Sequence, residues 1–259
     1  MTALLKRLQT QVTRLQVRLY ACHARLQAQT DEEALHDLRI ALRKLRSLLR
    51  PLRREPLCAQ LEQAAAALGA LSGPLRDLEV LSAELRTRGL PAQSRRRQQQ
   101  LPAGYQQLLG SVDWQRLLML IDDWPADSRA AFTSGDWRVT GRRIRKYLRI
   151  QQRQLGRALV DPAHDRHRLR LLIKRLRYGC ETYPRYSELP APALHALRRA
   201  QAALGDWHDH LQWLARVPVE TDLAPCADIW QQRLQQAEVE ADQALLELQV
   251  YCPNESTED

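Results

Sequence analysis

Two segments of this sequence place histidine and arginine at the same helical spacing. His36-x-x-Arg39-x-x-x-Arg43-Lys44-Leu45-Arg46 returns as His167-x-x-Arg170-x-x-x-Lys174-Arg175-Leu176-Arg177, 131 residues further on. A guanidinium is a planar, permanently charged fork that holds phosphate or carboxylate through two parallel hydrogen bonds. On a helical wheel His36, Arg39, Arg43, Arg46 and Arg50 fall within an arc of about 80°, with leucines opposite. His167, Arg170, Lys174 and Arg177 repeat that edge in the second segment, with Tyr178 beside it to stack or donate a hydroxyl. Arg7, Arg14 and Arg18 draw a further line on the first helix, and at the same offset stand Arg138, Arg145 and Arg149, with Arg142 among them.

Solvated helix faces usually mix signs, because like charges four residues apart cost roughly 0.2–0.5 kcal/mol per pair. Between His36 and Arg54 the only acid is Asp37, and between Arg166 and Cys180 there is none. That imbalance, present twice, points to a ligand that supplies negative charge. Donors spread over about three helical turns, roughly 15 Å, suit an extended polyanion better than one phosphate. Aromatic residues make up 5% of the chain, and the stripes hold almost no Asn, Gln or Trp, so the ligand is read as backbone charge and not by its bases. Four other readings stay open: a solvated face, a non-specific nucleic-acid binder, a dock for an acidic protein, and a phosphotransfer or phosphohydrolase enzyme using His36 and His167. The preferred reading is non-catalytic, with the two histidines as hydrogen-bond donors to phosphate. No phosphate-loop, Gly-x-Gly-x-x-Gly or His-Glu-x-x-His motif occurs. His164 with His167, and His208-Asp209-His210, offer metal ligands in pairs without a third, so neither a metal nor another cofactor is expected. Binding is expected to be tighter at pH 6 than at pH 8.

Positioning these stripes falls to helices. Apolar residues recur at three- and four-residue spacing, strand-like alternation is scarce, and the fold class is all-α. Helices are expected near 3–29, 31–53, 57–71 and 74–89, followed by a looser stretch to about 135. A second set is expected near 137–159, 162–183, 190–205, 207–216 and 221–250. Thr30-Asp31-Glu32-Glu33 reads as a capping box, and Asp161-Pro162 as an N-cap with proline at the first helical position. Gly73-Pro74-Leu75-Arg76-Asp77 matches Gly205-Asp206-Trp207-His208-Asp209 at an offset of 132. The chain therefore reads as one domain built by duplication, with repeats over 1–110 and 136–252. Residues 111–135 connect them, and 253–259 form a frayed tail.

The 259 residues carry a formal net charge of +9, and only four of the 39 basic residues are lysine. Five widely spaced cysteines without a Cys-x-x-Cys pair predict free, mostly buried thiols. No apolar run reaches the roughly eighteen residues of a membrane helix, and no apolar leader follows Lys6 and Arg7. A cytoplasmic protein without membrane association is expected, and its oligomeric state is left open.

The paired His-x-x-Arg segments, each followed by a Gly-x-x-Arg/His-Asp segment, resemble the CHAD family, the conserved histidine α-helical domain. The resemblance covers nearly the whole chain. It implies two four-helix bundles related by pseudo-twofold symmetry, with basic helices lining a central groove or pore. It also implies binding of inorganic polyphosphate, with nucleic acid only a non-specific competitor, and association with polyphosphate granules. Its implied contacts are Arg14, Arg18, His36, Arg39, Arg43 and Arg46, with Arg145, Arg149, His167, Arg170, Lys174 and Arg177 as second-half counterparts. Asp77 and Asp209 are expected to orient stripe arginines. His208 departs from the first-half pattern, where Arg76 stands, and the nearest match to a triphosphate-tunnel Glu-x-Glu-x-Lys strand, Glu238-Val239-Glu240-Ala241-Asp242, lacks the Lys and is expected to be helical.

Overall fold

The computed structural model describes residues 3–134, 140–161, 163 and 165–253, and these form helices and no strands. Arg138, Pro162 and His164 lie outside the described residues, as do residues 254–259 of the expected tail. The chain divides into two compact units, Met1–Arg143 and Ile144–Asp259.

In the first unit α1 (Ala3–Ala28), α2 (Ala34–Leu49), α3 (Pro56–Leu71) and α7 (Val112–Thr133) close a ring, each touching the next and α7 touching α1. A leucine-rich seam makes this possible: Leu5, Leu8, Val12, Leu15, Leu19, Cys22 and Leu26 on α1 are all buried at three- and four-residue spacing. Between α3 and α7 the chain makes an excursion through α4 (Gly73–Thr87), α5 (Pro91–Gln98) and α6 (Leu101–Leu109), with α4 packed on both of its successors. The stretch read as loose is thus three helices, and α7 belongs to the first unit's ring. The prolines of this stretch do not break its helices. Pro91 and Pro102 sit in first turns, where no amide hydrogen bond is lost, and Pro125 is tolerated inside α7.

The second unit holds α8 (Gly141–Leu159, its first turn lying in the first unit), α9 (Arg166–Thr182), α10 (Ala191–Arg216) and α11 (Ala227–Gln249). α9 packs on α10 and α10 on α11. α8 is tied to the end of α11, because Gln249 Nε2 donates to the Leu159 carbonyl at 2.8 Å and Gln152 Nε2 to the Tyr251 carbonyl at 3.3 Å. Gly156 permits this approach: a Cβ there would lie 2.7 Å from the Pro253 carbonyl oxygen and 2.8 Å from that of Cys252. Gly156→Ala should lower stability by about 1–3 kcal/mol, the usual cost of overpacking against rigid atoms. A urea melt that coincides with wild type would refute this.

Several boundaries differ from expectation. Residues 191–216 form one helix, because Asp206 keeps the amide hydrogen that Pro74 lacks, so only the first unit breaks at that point, into α3 and α4. The capping box does not form: α2 starts at Ala34, the Glu33 side chain caps nothing, and Asp31 accepts from the Glu33 amide while Arg25 holds its carboxylate. α9 starts later than expected, with Asp165 as N-cap accepting from the His167 amide at 2.8 Å.

Burial tests the repeat position by position. Leu38, Ala41, Leu42, Leu45 and Leu49 are buried on α2, and so, 131 residues on, are Leu169, Leu172, Ile173, Leu176 and Cys180. Leu61, Ala64, Ala65 and Leu68 on α3 agree with Ala193, Ala196, Leu197 and Ala200 at 132. α1 and α8 do not share burial at an offset of 131: Leu15, Leu19, Cys22 and Leu26 are buried, and 131 residues on Lys146, Ile150, Arg153 and Arg157 are exposed.

Candidate polyanion site

In the first unit the stripe begins at the half-buried His36 and reaches the junction of α3 and α4 through Arg39. Arg39 Nη1 donates to the Gly69 carbonyl and to Ser72 Oγ, both at 2.9 Å. Gly69 is one of the last carbonyls of α3 and has no helical partner of its own, so a cation there satisfies it and complements the helix dipole. Burial lowers the pKa of Arg39, Asp77 opposes that effect, and Arg43 and Arg76 add to it as like charges. Asp77 therefore acts on Arg39 through charge, from an exposed position. Arg76 is steered by Glu79, which accepts from Arg76 Nη1 at 2.8 Å and from the Tyr105 hydroxyl at 2.6 Å.

The far end of the same stripe is compensated from another helix. Glu62 of α3, its side chain 4% exposed, accepts from Arg46 Nε at 3.0 Å, Arg50 Nε at 3.2 Å and Arg53 Nε at 3.0 Å. Burial pushes the Glu62 carboxyl up, yet Arg46 and Arg53 hold it below its ordinary value. Arg46 and Arg50 thus also serve as partners of a buried carboxylate. Asp37, the lone acid within the stripe segment, is engaged by Arg25 at 2.6 Å. Arg7, Arg14, Arg18 and Lys44 are exposed. The run Arg95-Arg96-Arg97 splits: Arg97 is 2% exposed within the first unit, and its neighbours face solvent.

In the second unit the stripe of α9 meets α10. The rings of His167 and His208 lie 5.7 Å apart, and burial, together with Arg170, His167 and Lys174, pushes His208 down to about 4. His208 is therefore neutral at pH 7 in the ligand-free protein. Arg177 lies over the Tyr178 ring at 4.4 Å, with its Nε 3.7 Å from Glu181, and the Tyr178 hydroxyl accepts from Gln201 Nε2 at 3.2 Å. Asp209 is half-buried beside His208, and Arg175 is exposed. Arg145 and Arg149 of α8 share one carboxylate, Glu188 of the α9–α10 loop. Arg149 holds it bidentately at 2.8 and 2.9 Å, and Arg145 stands 3.7 Å away. Arg142 is exposed in the first turn of α8.

Sequence reasoning missed Glu62, Glu79 and Glu188; Glu62 and Glu188 fix stripe arginines, and Glu79 fixes Arg76 beside Arg39. Glu62 had a signal, since it stands alone among the alanines and leucines of α3, where a buried charge must be paired. Glu79 and Glu188 had none. Among the described residues no group of three or more His, Cys, Asp or Glu is placed to hold a metal, and no helix is long and apolar enough to cross a membrane. All five cysteines are buried and free. The arrangement left over is a pair of cation clusters, one in each unit, in which like charges crowd on Arg39 and on His208.

The family described as CHAD domain matches residues 9–218. The structure is similar to the crystal structure of the CHAD domain from the plant Ricinus communis, with a TM-score of 0.70 and 20% sequence identity over 97% of this chain and 92% of that one. At that identity the likeness is one of fold. No curated protein matches the chain. The match spans well over half of the sequence, includes both His-x-x-Arg segments and agrees with the all-helical architecture, and the chain belongs to the CHAD domain family.

Proposed function

We propose that this protein binds inorganic polyphosphate without transforming it, and that it associates with polyphosphate granules. The observation that carries the reading is the crowding of positive groups within each unit. Arg39 feels Arg43 and Arg76 as repulsive neighbours, and His208 feels Arg170, His167 and Lys174. A bound polyanion converts that repulsion into attraction, and its oxygens accept from forks that the protein leaves part-exposed. We propose also that the two units are copies of one ancestral unit, which the common burial registers of α2 with α9 and α3 with α10 support. The low aromatic content of the chain, 5%, makes nucleic acid a competitor that binds mainly through its phosphates.

The test is a titration with long-chain polyphosphate beside one with single-stranded DNA at equal phosphate, both across a salt series. The reading expects polyphosphate to bind tighter and the affinity to fall steeply with salt. Equal affinity for both polymers reduces the site to a general basic surface. Release of phosphate, or a stable phosphohistidine at His36 or His167, would make the protein an enzyme.

The pH dependence has a defined sign. Burial and like charges hold His208 at about 4, and a phosphate chain beside it raises that value toward the ordinary 6.5. The complex then carries one more proton than the free protein, so affinity rises as pH falls through this interval, by up to about tenfold per unit for one proton. His208→Asn should remove the gain between pH 6.5 and 4 and leave affinity at pH 8 unchanged. An identical pH profile in wild type and variant would exclude His208 from contact with the ligand.

A further inference from the structure

An aromatic surface stands at one end of the second-unit cluster, and it comes from α10, outside both His-x-x-Arg segments. Trp207 is half-buried, and its ring lies 6.3 Å from that of His208. The next step, from His208 to His167, is 5.7 Å. α9 and α10 run antiparallel, since His167 meets His208 while Tyr178 meets Gln201. Arg170 and Lys174, about 4.5 and 10.5 Å along α9 from His167, therefore recede from Trp207. The cluster is directional, with an indole at one end and cations running away from it.

Arg166, in the first turn of α9, stands over the indole with its Cζ 5.9 Å from the ring centroid, against about 3.5–4.0 Å for atoms in contact. Its fork is turned to α11, where Asp242 accepts from Nη2 at 2.8 and 2.9 Å and Glu238 lies 3.9 Å away. The guanidinium is thus anchored as a wall beside the indole. Leu211, one turn on from Trp207 and on the same side of α10, is 38% exposed and continues the apolar surface. The first unit is built differently at the matching positions, 131 and 132 residues earlier, where Leu35 and Leu75 stand. Leu35 is buried, and α6 closes on Leu75, since a Cβ on Gly104 would lie 2.2 Å from Leu75 Cδ2. In the second unit α10 is followed by the 3-10 turn Thr221–Cys226 in place of α5 and α6.

We propose that the second unit binds nucleoside polyphosphates, with the base stacked on Trp207 beside Arg166 and the phosphates running over His208 and His167 toward Arg170 and Lys174. Bases stack on aromatic faces and on guanidinium planes in a way that tolerates any sequence. The ribose is the spacer between ring and phosphates. The phosphates take the groups that the polyphosphate reading assigns to them, and the inference rests on that reading. The first unit, with leucine at both positions, takes phosphate without a base.

Isothermal titration with ATP, beside methyl triphosphate as a probe of equal charge without a base, tests this in the presence of EDTA. Wild type should hold ATP at least about fivefold tighter than methyl triphosphate, the low end for one base stacked on an aromatic ring. Trp207→Leu, which places leucine there as in the first unit, should bring the two affinities together and leave that for methyl triphosphate unchanged. Trp207→Phe should keep part of the difference, and a melt confirms the fold of both variants. Arg170→Ala/Lys174→Ala should weaken both probes. If wild type binds neither long-chain polyphosphate nor either probe, the parent reading fails. If wild type binds polyphosphate but holds ATP no tighter than methyl triphosphate, the nucleotide site alone is overturned, and that comparison needs no variant to fold. Trp207→Leu with the full difference retained, or Arg170→Ala/Lys174→Ala with ATP affinity unchanged, overturns it as well.

Discussion

Replacing Arg39, Arg43 and Arg170 together by alanine should weaken long-chain polyphosphate binding by about a hundredfold to a thousandfold at moderate salt. Hydrogen bonds to charged groups contribute about 1.5–3 kcal/mol each, and partial exposure of all three side chains brings the expected total to about 3–4 kcal/mol. The salt slope should fall by about 2, at about 0.7 for each of three contacts. Arg39 needs a control, because its Nη1 also satisfies the Gly69 carbonyl and Ser72 Oγ. Its loss exposes the end of α3 and costs some stability whatever the ligand. Arg43→Ala/Lys174→Ala leaves that cap in place and should still lose at least about tenfold by the same reckoning. Isothermal titration of both variants against wild type decides the matter. Unchanged affinity in the second variant, with the fold intact, would detach the stripes from the ligand.

How far the sequence reaches can be read off individual residues. The α2 and α9 stripes are legible because their spacing puts most apolar residues of each segment on the opposite side, and the structure buries Leu38, Leu42 and Leu45 with Leu169, Ile173 and Leu176 accordingly. Between α1 and α8 the arginines align at 131 and the buried residues do not, since Leu15, Leu19 and Cys22 fall on the exposed Lys146, Ile150 and Arg153. α5 and α6 begin on proline-bearing first turns, and residues 93–100 are rich in arginine and glutamine, so apolar spacing marks these two helices weakly. The partners Glu62, Glu79 and Glu188 come from segments 16, 3 and 39 residues away from the arginines they hold. Only the 3-residue spacing is local to one helix. A charge stripe on a wheel shows its own face and nothing of the helix opposite, so unbalanced charge in one segment was overestimated wherever a neighbouring helix supplies a carboxylate.

Glu62 is where that overestimate has the largest consequence for stability, and Glu62→Gln should destabilise the first unit by about 2–4 kcal/mol. Removing one partner of a buried ion pair costs about 3–5 kcal/mol. Arg53 at 54% and Arg46 at 30% side-chain exposure are partly screened, which discounts the figure, whereas Arg50 at 15% is not. At about 2–4 °C per kcal/mol for a chain of this size, the melting temperature should fall by about 4–16 °C. The pH dependence carries the same signature. The folded Glu62 carboxyl lies below its ordinary 4.5, so its contribution is fully present above that value and is lost as pH falls through the lowered one. Wild type should therefore lose more stability on acidification below pH 4.5 than the variant does. Polyphosphate separates structure from function in the same sample. In the variant Arg46, Arg50 and Arg53 lose the Glu62 carboxylate, a phosphate chain can replace it, and added polyphosphate should raise the melting temperature further than it does in wild type. A variant as stable as wild type would show that the three pairs are screened by solvent. A normal loss of stability without the larger polyphosphate rescue would place these arginines beyond the reach of the ligand and confine the first-unit site to His36, Arg39, Arg43 and Arg76.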